Sequence, residues 1–133
     1  MNKNQYLDDY FKEMLEEEET YNYYFYVMSF VPVTQYLRFQ QMAIFLNKHM
    51  IISFTNKRIL ICEMSGLTGK LTENVLTIDL QEVKQISIKE GIMKTKIRIE
   101  FLDGSAIKFK PNNICIGLSN HKKHLNKLKE LYK

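Results

Sequence analysis

Tryptophan is absent, and cysteine, proline and glycine are sparse, with two, two and five copies in 133 residues. Two cysteines cannot form a disulfide framework. Cys62 and Cys115 stand in apolar surroundings, with no CxxC and no Cys/His ligand spacing, so both read as small buried hydrophobes. The scarcity of glycine and proline excludes a low-complexity or fibrous chain. Long hydrophobic runs are also missing. The longest mostly apolar stretch, Tyr23 to Val33, is too short to span a bilayer, and "MNKNQYLDDYFKEMLEEEET" lacks the charged start and apolar centre of a signal peptide. The expectation is a cytoplasmic globular protein, 45% hydrophobic and large enough to build a core without disulfides or metal.

Charge is present but unevenly placed. The net charge is +4, yet residues 1–20 carry seven acids against Lys3 and Lys12, and residues 21–133 carry seventeen bases against eight acids. A leading segment of −5 therefore precedes a body of +9. Tyr6, Tyr10 and Met14, with Leu7, Phe11 and Leu15 one position on, predict an amphipathic helix of about four turns over 1–20. Glu16 to Glu19 crowd its C-terminal end, where the helix dipole disfavours negative charge, so a basic neighbour is expected. Docking of this helix is expected to rest on Leu7, Phe11 and Leu15 more than on the glutamates, and to shield part of a binding surface.

The rest, 21–133, reads as one β-rich domain. "YNYYFYVMSFVPV" suits a strand ending near Pro32. A short helix or irregular segment at 34–41, then a strand, fits the ambiguous stretch that follows. "IISFT" and "RILICEM" read as a hairpin or a bulged strand around Asn56 and Lys57; "VLTIDL" and "VKQISIKE" read as strands joined by Leu80, Gln81 and Glu82. "KTKIRIEFLDGSAIKFK", residues 94–110, alternates apolar and basic residues about a three-residue loop, Leu102–Asp103–Gly104. That register pairs Ile99 with Ile107 and Ile97 with Phe109. It sets Arg98 beside Lys108 and Lys96 beside Lys110. A closing helix capped by Ser119 or Asn120 carries Leu118, Leu125, Leu128 and Tyr132 on one side and lysines on the other.

The predicted fold is thus mostly β with α: an antiparallel β-barrel of roughly seven strands, or two packed bent sheets, closed by a C-terminal helix and preceded by an N-terminal one. The string "IISFTNKRILICEMS", then "VLTIDLQEVKQISIKEG", then "KIRIEFLDGSAIKFK" and a helix resembles the bacterial pleckstrin-homology-like (PH-like) domains and the related GRAM domains. Thr55 and Arg58 match a threonine-x-x-arginine strand start in those domains. Ile78, Leu80 and Val83 match an entry into a strand, and Asp103 and Gly104 a strand–turn–strand pattern. The resemblance covers about residues 21–132 and implies a fold and an interaction module. Eukaryotic relatives often bind phosphoinositides through basic residues around their first hairpin. "YNYYFYVMSF" carries none, so that property does not transfer.

Chemistry-bearing residues are few. "GLTGKLT" has two residues between its glycines and leucine after its lysine, and so departs from a phosphate-binding loop. His121 and His124 share a helix face without signalled co-ligands, and His49 is remote. No metal, cofactor or catalytic role follows, and the chain is expected not to be an enzyme. Tyr21, Tyr23, Tyr24 and Tyr26 are expected to pack in a sheet more than to stack bases. The remaining feature is the basic ladder Lys94, Lys96, Arg98, Lys108 and Lys110, a candidate surface for an anion or partner. Three partner classes stay open: a protein or peptide, an anionic membrane surface, or nucleic acid.

Overall fold

Continuous apolar runs become strands buried on both faces, and alternating runs become strands covered on one. The computed structural model describes residues 2–28, 30–32, 42–45 and 48–132. Helix α1 (Lys3–Met14) leads into β1 (Asn22–Val27) and β2 (Phe30–Pro32); a 3-10 turn at Ala43–Phe45 precedes β3 (His49–Thr55). Then follow β4 (Arg58–Met64), β5 (Leu71–Asp79), a 3-10 turn at Leu80–Glu82, β6 (Val83–Glu90), β7 (Thr95–Phe101), β8 (Ala106–Phe109) and α2 (Asn120–Leu131). All ladders are antiparallel, in two four-stranded sheets ordered β1-β3-β4-β5 and β2-β8-β7-β6. Of the two expected architectures, the packed pair of sheets is present. Among the described residues no ladder joins them into a closed barrel.

Three details differ from the sequence reading. The single strand expected over 21–33 is two strands, because the chain leaves the first sheet after Val27 and enters the second at Phe30, the corner by which one strand serves two layers. That raises the strand count to eight among the described residues. After the 34–41 segment, which lies outside the described residues, a 3-10 turn at Ala43–Phe45 stands before the next strand begins at His49.

Between the sheets lies the main core, with Phe25, Ile52, Phe54, Ile59 and Ile61 from the first sheet and Ile97, Ile99, Phe101, Ile107 and Phe109 from the second. Leu125 and Leu128 of α2 close it. A second cluster lies on the other face of the first sheet, where Leu7 and Phe11 of α1 cover Tyr24, Ile51, Leu60 and Cys62. Strands β3 and β4 are therefore buried on both faces, and this is why they read as unbroken apolar runs. Strand β7 alternates because only its inner face is covered.

Candidate binding surface

The inward pleat of β7 and β8 leaves their alternate positions on the outer face of the second sheet. Ile97 faces Phe109, Arg98 faces Lys108 and Ile99 faces Ile107, the register expected from the three-residue loop. Phe101 N donates to Ser105 O (2.8 Å) around that loop, and Gly104 takes the left-handed φ of 89° that a side chain would strain. Beyond the ladder the same offset continues, since Thr95 N donates to Pro111 O (3.0 Å) and Lys94 bridges Asn112. Lys110 thereby falls opposite Lys96.

The other neighbour of β7 adds a lysine that the sequence reading missed. Strand β6 pairs Lys89 with Lys96 and Ser87 with Arg98, while Ile86 and Ile88 turn inward against the core. One row across the outer face is Lys89, Lys96, Lys110; the next is Ser87, Arg98, Lys108. The signal for Lys89 was the turn at Gly91, whose N–H donates to Lys94 O (2.8 Å). A Cβ at Gly91 would stand 2.8 Å from that oxygen, so glycine sets the turn and the turn sets the register.

Among the described residues one carboxylate interrupts this face. Glu100 binds Arg98 Nη1 at 3.1 Å and lies 3.9 Å from Lys84 Nζ. Lys89, Lys96, Lys108 and Lys110 have no carboxylate within ion-pair distance among the described residues. Like charges placed directly across a ladder destabilise it by a few tenths of a kcal/mol per pair. At the end of the rows, Lys94 and Lys110 border a groove of about 700 Å³ with Tyr26, Met28, Ile114 and Ile116.

The sequence matches the bacterial PH domain family over residues 15–129. The chain belongs to that family. The hSac2 domain from the human phosphoinositide phosphatase Sac2 has a similar fold, at 12% identity, over 96% of this chain and 77% of that one, with a TM-score of 0.50. No curated protein sequence matches significantly.

In this bacterial PH domain the threonine-x-x-arginine strand start is a clamp on the N-terminal segment. Thr55 Oγ1 accepts from the backbone N–H of Lys57 and Arg58 (both 3.0 Å) and donates to the Glu19 carboxylate. Arg58 holds Glu19 through Nε (3.1 Å) and Nη2 (3.0 Å), Glu16 through Nη1 (3.0 Å), and the carbonyl of Met14 at the end of α1 (2.5 Å). This is the cation that the acidic helix end required. Burial alone would raise the Glu19 carboxyl, but the hydrogen bonds from Arg58, Glu16 N and Thr55 outweigh it and leave it lowered. Glu18–Lys57 is an exposed pair, of the kind that contributes about 0 to 1 kcal/mol, whereas the Glu19 side chain is fully buried, where its cation counts for more than the exposed-pair expectation allowed. The helix binds the first sheet and the start of α2, away from the basic face.

His121, His124 and Cys62 of this PH domain are engaged in packing. Cys115, expected to be buried, is only partly so and lines surface depressions, because its segment runs along the rim outside the core. Strand β1 is an edge, and α2 lies along it: Tyr26 N donates to His121 Nδ1 (3.0 Å) and Tyr24 N to His124 Nδ1 (3.1 Å). His121 Nε2 meets Asn112 O at 2.6 Å, so the neutral tautomer with the proton on Nε2 satisfies both contacts. Burial lowers the pKa of both imidazoles. Cys62 lies beneath α1 with its thiol pushed up to about 12 by burial. Among the described residues no three His, Cys, Asp or Glu gather where they could hold a metal. In "GLTGKLT" the loop N–H groups of Leu67 and Thr68 turn to Ser65 Oγ, so they close the hairpin. Tyr24 is buried, its hydroxyl 2.6 Å from Asp8 Oδ1, while Tyr21 stacks on Tyr23 and Tyr26 on His49. The N–H of Asn120 is capped by Asn4 Oδ1 (3.2 Å) of α1; the Ser119 hydroxyl makes no capping bond.

Proposed function

We propose that this bacterial PH domain is a noncatalytic, cytoplasmic binding or scaffolding module whose basic sheet face receives an acidic segment of a protein or peptide partner. The carrying observation is the pair of cationic rows, Lys89–Lys96–Lys110 and Arg98–Lys108, with Glu100 as the one opposing carboxylate on that face among the described residues. The pairing is unfavourable in isolation and becomes favourable when carboxylates lie across it. A noncatalytic role is supported by the use of His121 and His124 on the β1 edge and of Cys62 beneath α1, where each serves packing.

Selection of displayed random peptides on the folded domain tests this reading. Acidic sequences should be enriched. Their affinity should fall with added salt and drop at least about tenfold in the Lys96→Glu/Lys108→Glu variant, since each lost close charge contact is worth about 1 kcal/mol or more. Enrichment of sequences without acidic character, or affinity unchanged in that variant, would refute it. Preferential retention of single-stranded RNA by the same face would replace it with a nucleic-acid reading.

A further inference from the structure

Five large apolar side chains stand in water at one end of the molecule. Ile92 is 100% exposed, Ile116 99%, Met93 77%, Ile114 63% and Met28 59%. Single exposed apolar residues are ordinary, but a group held together at one site is not. Asn113 ties the loop that carries Ile92 and Met93 to the segment that carries Ile114 and Ile116, and Met28 lines the groove beside them. The Asn113 N–H donates to Met93 O (2.9 Å), and its Nδ2 donates to Gly91 O (3.0 Å) and Ile92 O (3.2 Å). Its Oδ1 accepts from Thr95 Oγ1 (2.7 Å). Loop 91–94 and the segment from Pro111 to Ile116 are thus tied into one rim that presents its aliphatic side chains outward.

Cations are set back around that rim. Lys94 and Lys110 line the groove shared with Met28, Ile114 and Ile116. Lys122 borders the neighbouring cleft with Ile92 and Ile114, where Glu90 is already bound to Lys129. Lys3 lies beside Ile114 in a third depression.

We propose that this rim is a membrane-contact tip for an anionic bilayer surface. The exposed residues are aliphatic throughout. Tryptophan, tyrosine and arginine, which anchor protein interfaces, are not among them. Isoleucine and methionine side chains suit the acyl boundary, while lysines placed behind them reach the headgroups with long stems. Stable attachment to a bilayer needs two signals, and apolar insertion with a basic ring supplies both. The tip shares Lys94 and Lys110 with the end of the basic face, while Lys89, Lys96, Arg98 and Lys108 lie beyond the groove, so a domain seated on a bilayer by its tip keeps those four available to an acidic segment.

The absence of tryptophan provides the test, because Met93→Trp installs the sole indole. Co-sedimentation of the full chain with vesicles of phosphatidylcholine containing phosphatidylserine should show binding that weakens in pure phosphatidylcholine and with salt. The indole emission should shift to the blue on binding. Ile92→Ser/Ile116→Ser should lower partitioning at least about tenfold, and Lys94→Glu/Lys110→Glu by a similar factor. These positions are exposed, so far-UV circular dichroism should be unchanged. Absence of binding, binding insensitive to the isoleucine pair, or an indole that stays in water would overturn the proposal. Concentration-dependent self-association lost in the isoleucine variant without vesicle binding would assign the tip to a second copy of the chain and also overturn it. Peptide affinity measured without lipid should survive the isoleucine substitutions, which separates failure here from failure of the acidic-partner reading.

Discussion

Among the described residues, Arg58 gathers more structure than any other cation, joining Met14, Glu16 and Glu19 to the start of β4. Removing it would leave the Glu19 carboxylate buried without its cation, a loss of about 3 kcal/mol on the usual cost of breaking a buried pair. Arg58→Ala should lower the denaturation midpoint accordingly, whereas Glu17→Gln, at an exposed position, should be neutral. The partnership of Thr55 and Arg58 with each other's strand start was visible in the sequence as a family pattern. Their bond to Glu19 was not, because nothing in a run of four glutamates distinguishes the buried one from its exposed neighbours.

At the scale of elements, α2 satisfies the free edge of β1 through His121 and His124. Both imidazoles have pKa values lowered by burial, so the unfolded chain binds more protons than the folded one below the ordinary imidazole value of 6.5. Stability should therefore be full above that value and fall as the pH drops below it towards the folded pKa. Urea unfolding at pH 7.5 and 5.5 checks the sign, and a flat profile would contradict it. The helix itself was legible from its leucines. The role of its histidines was not, because an i, i+3 pair carries no mark of the strand edge that it will meet. Similarly, the alternation of 94–110 was enough to give the β7–β8 register. The passage of one apolar run into two sheets at Val27–Phe30 left no break in the pattern to read.

For the whole molecule, two apolar layers hold the first sheet between α1 and the second sheet. Leu128→Ala, in the layer shared with α2, should cost about 2 to 4 kcal/mol, and Phe11→Ala, in the layer beneath α1, about 3 to 5 kcal/mol. Thermal unfolding followed by circular dichroism measures both; a negligible effect of Phe11→Ala would mean that α1 rests on the sheet without stabilising it. The docked helix leaves the outer face of the second sheet open. Its five ladder residues were readable from alternation, while Lys89 and the aliphatic tip depend on turn geometry that brings distant segments together.

The most direct measurement of the central claim is a nitrogen-15 NMR titration of the full chain with an acidic peptide taken from the display selection. Amide shifts should concentrate on Lys89, Lys96, Arg98, Lys108 and Lys110 and disappear at high salt. Shifts confined to α2 or to the exposed edge of β5, with the basic rows unmoved, would contradict a basic-face binding module.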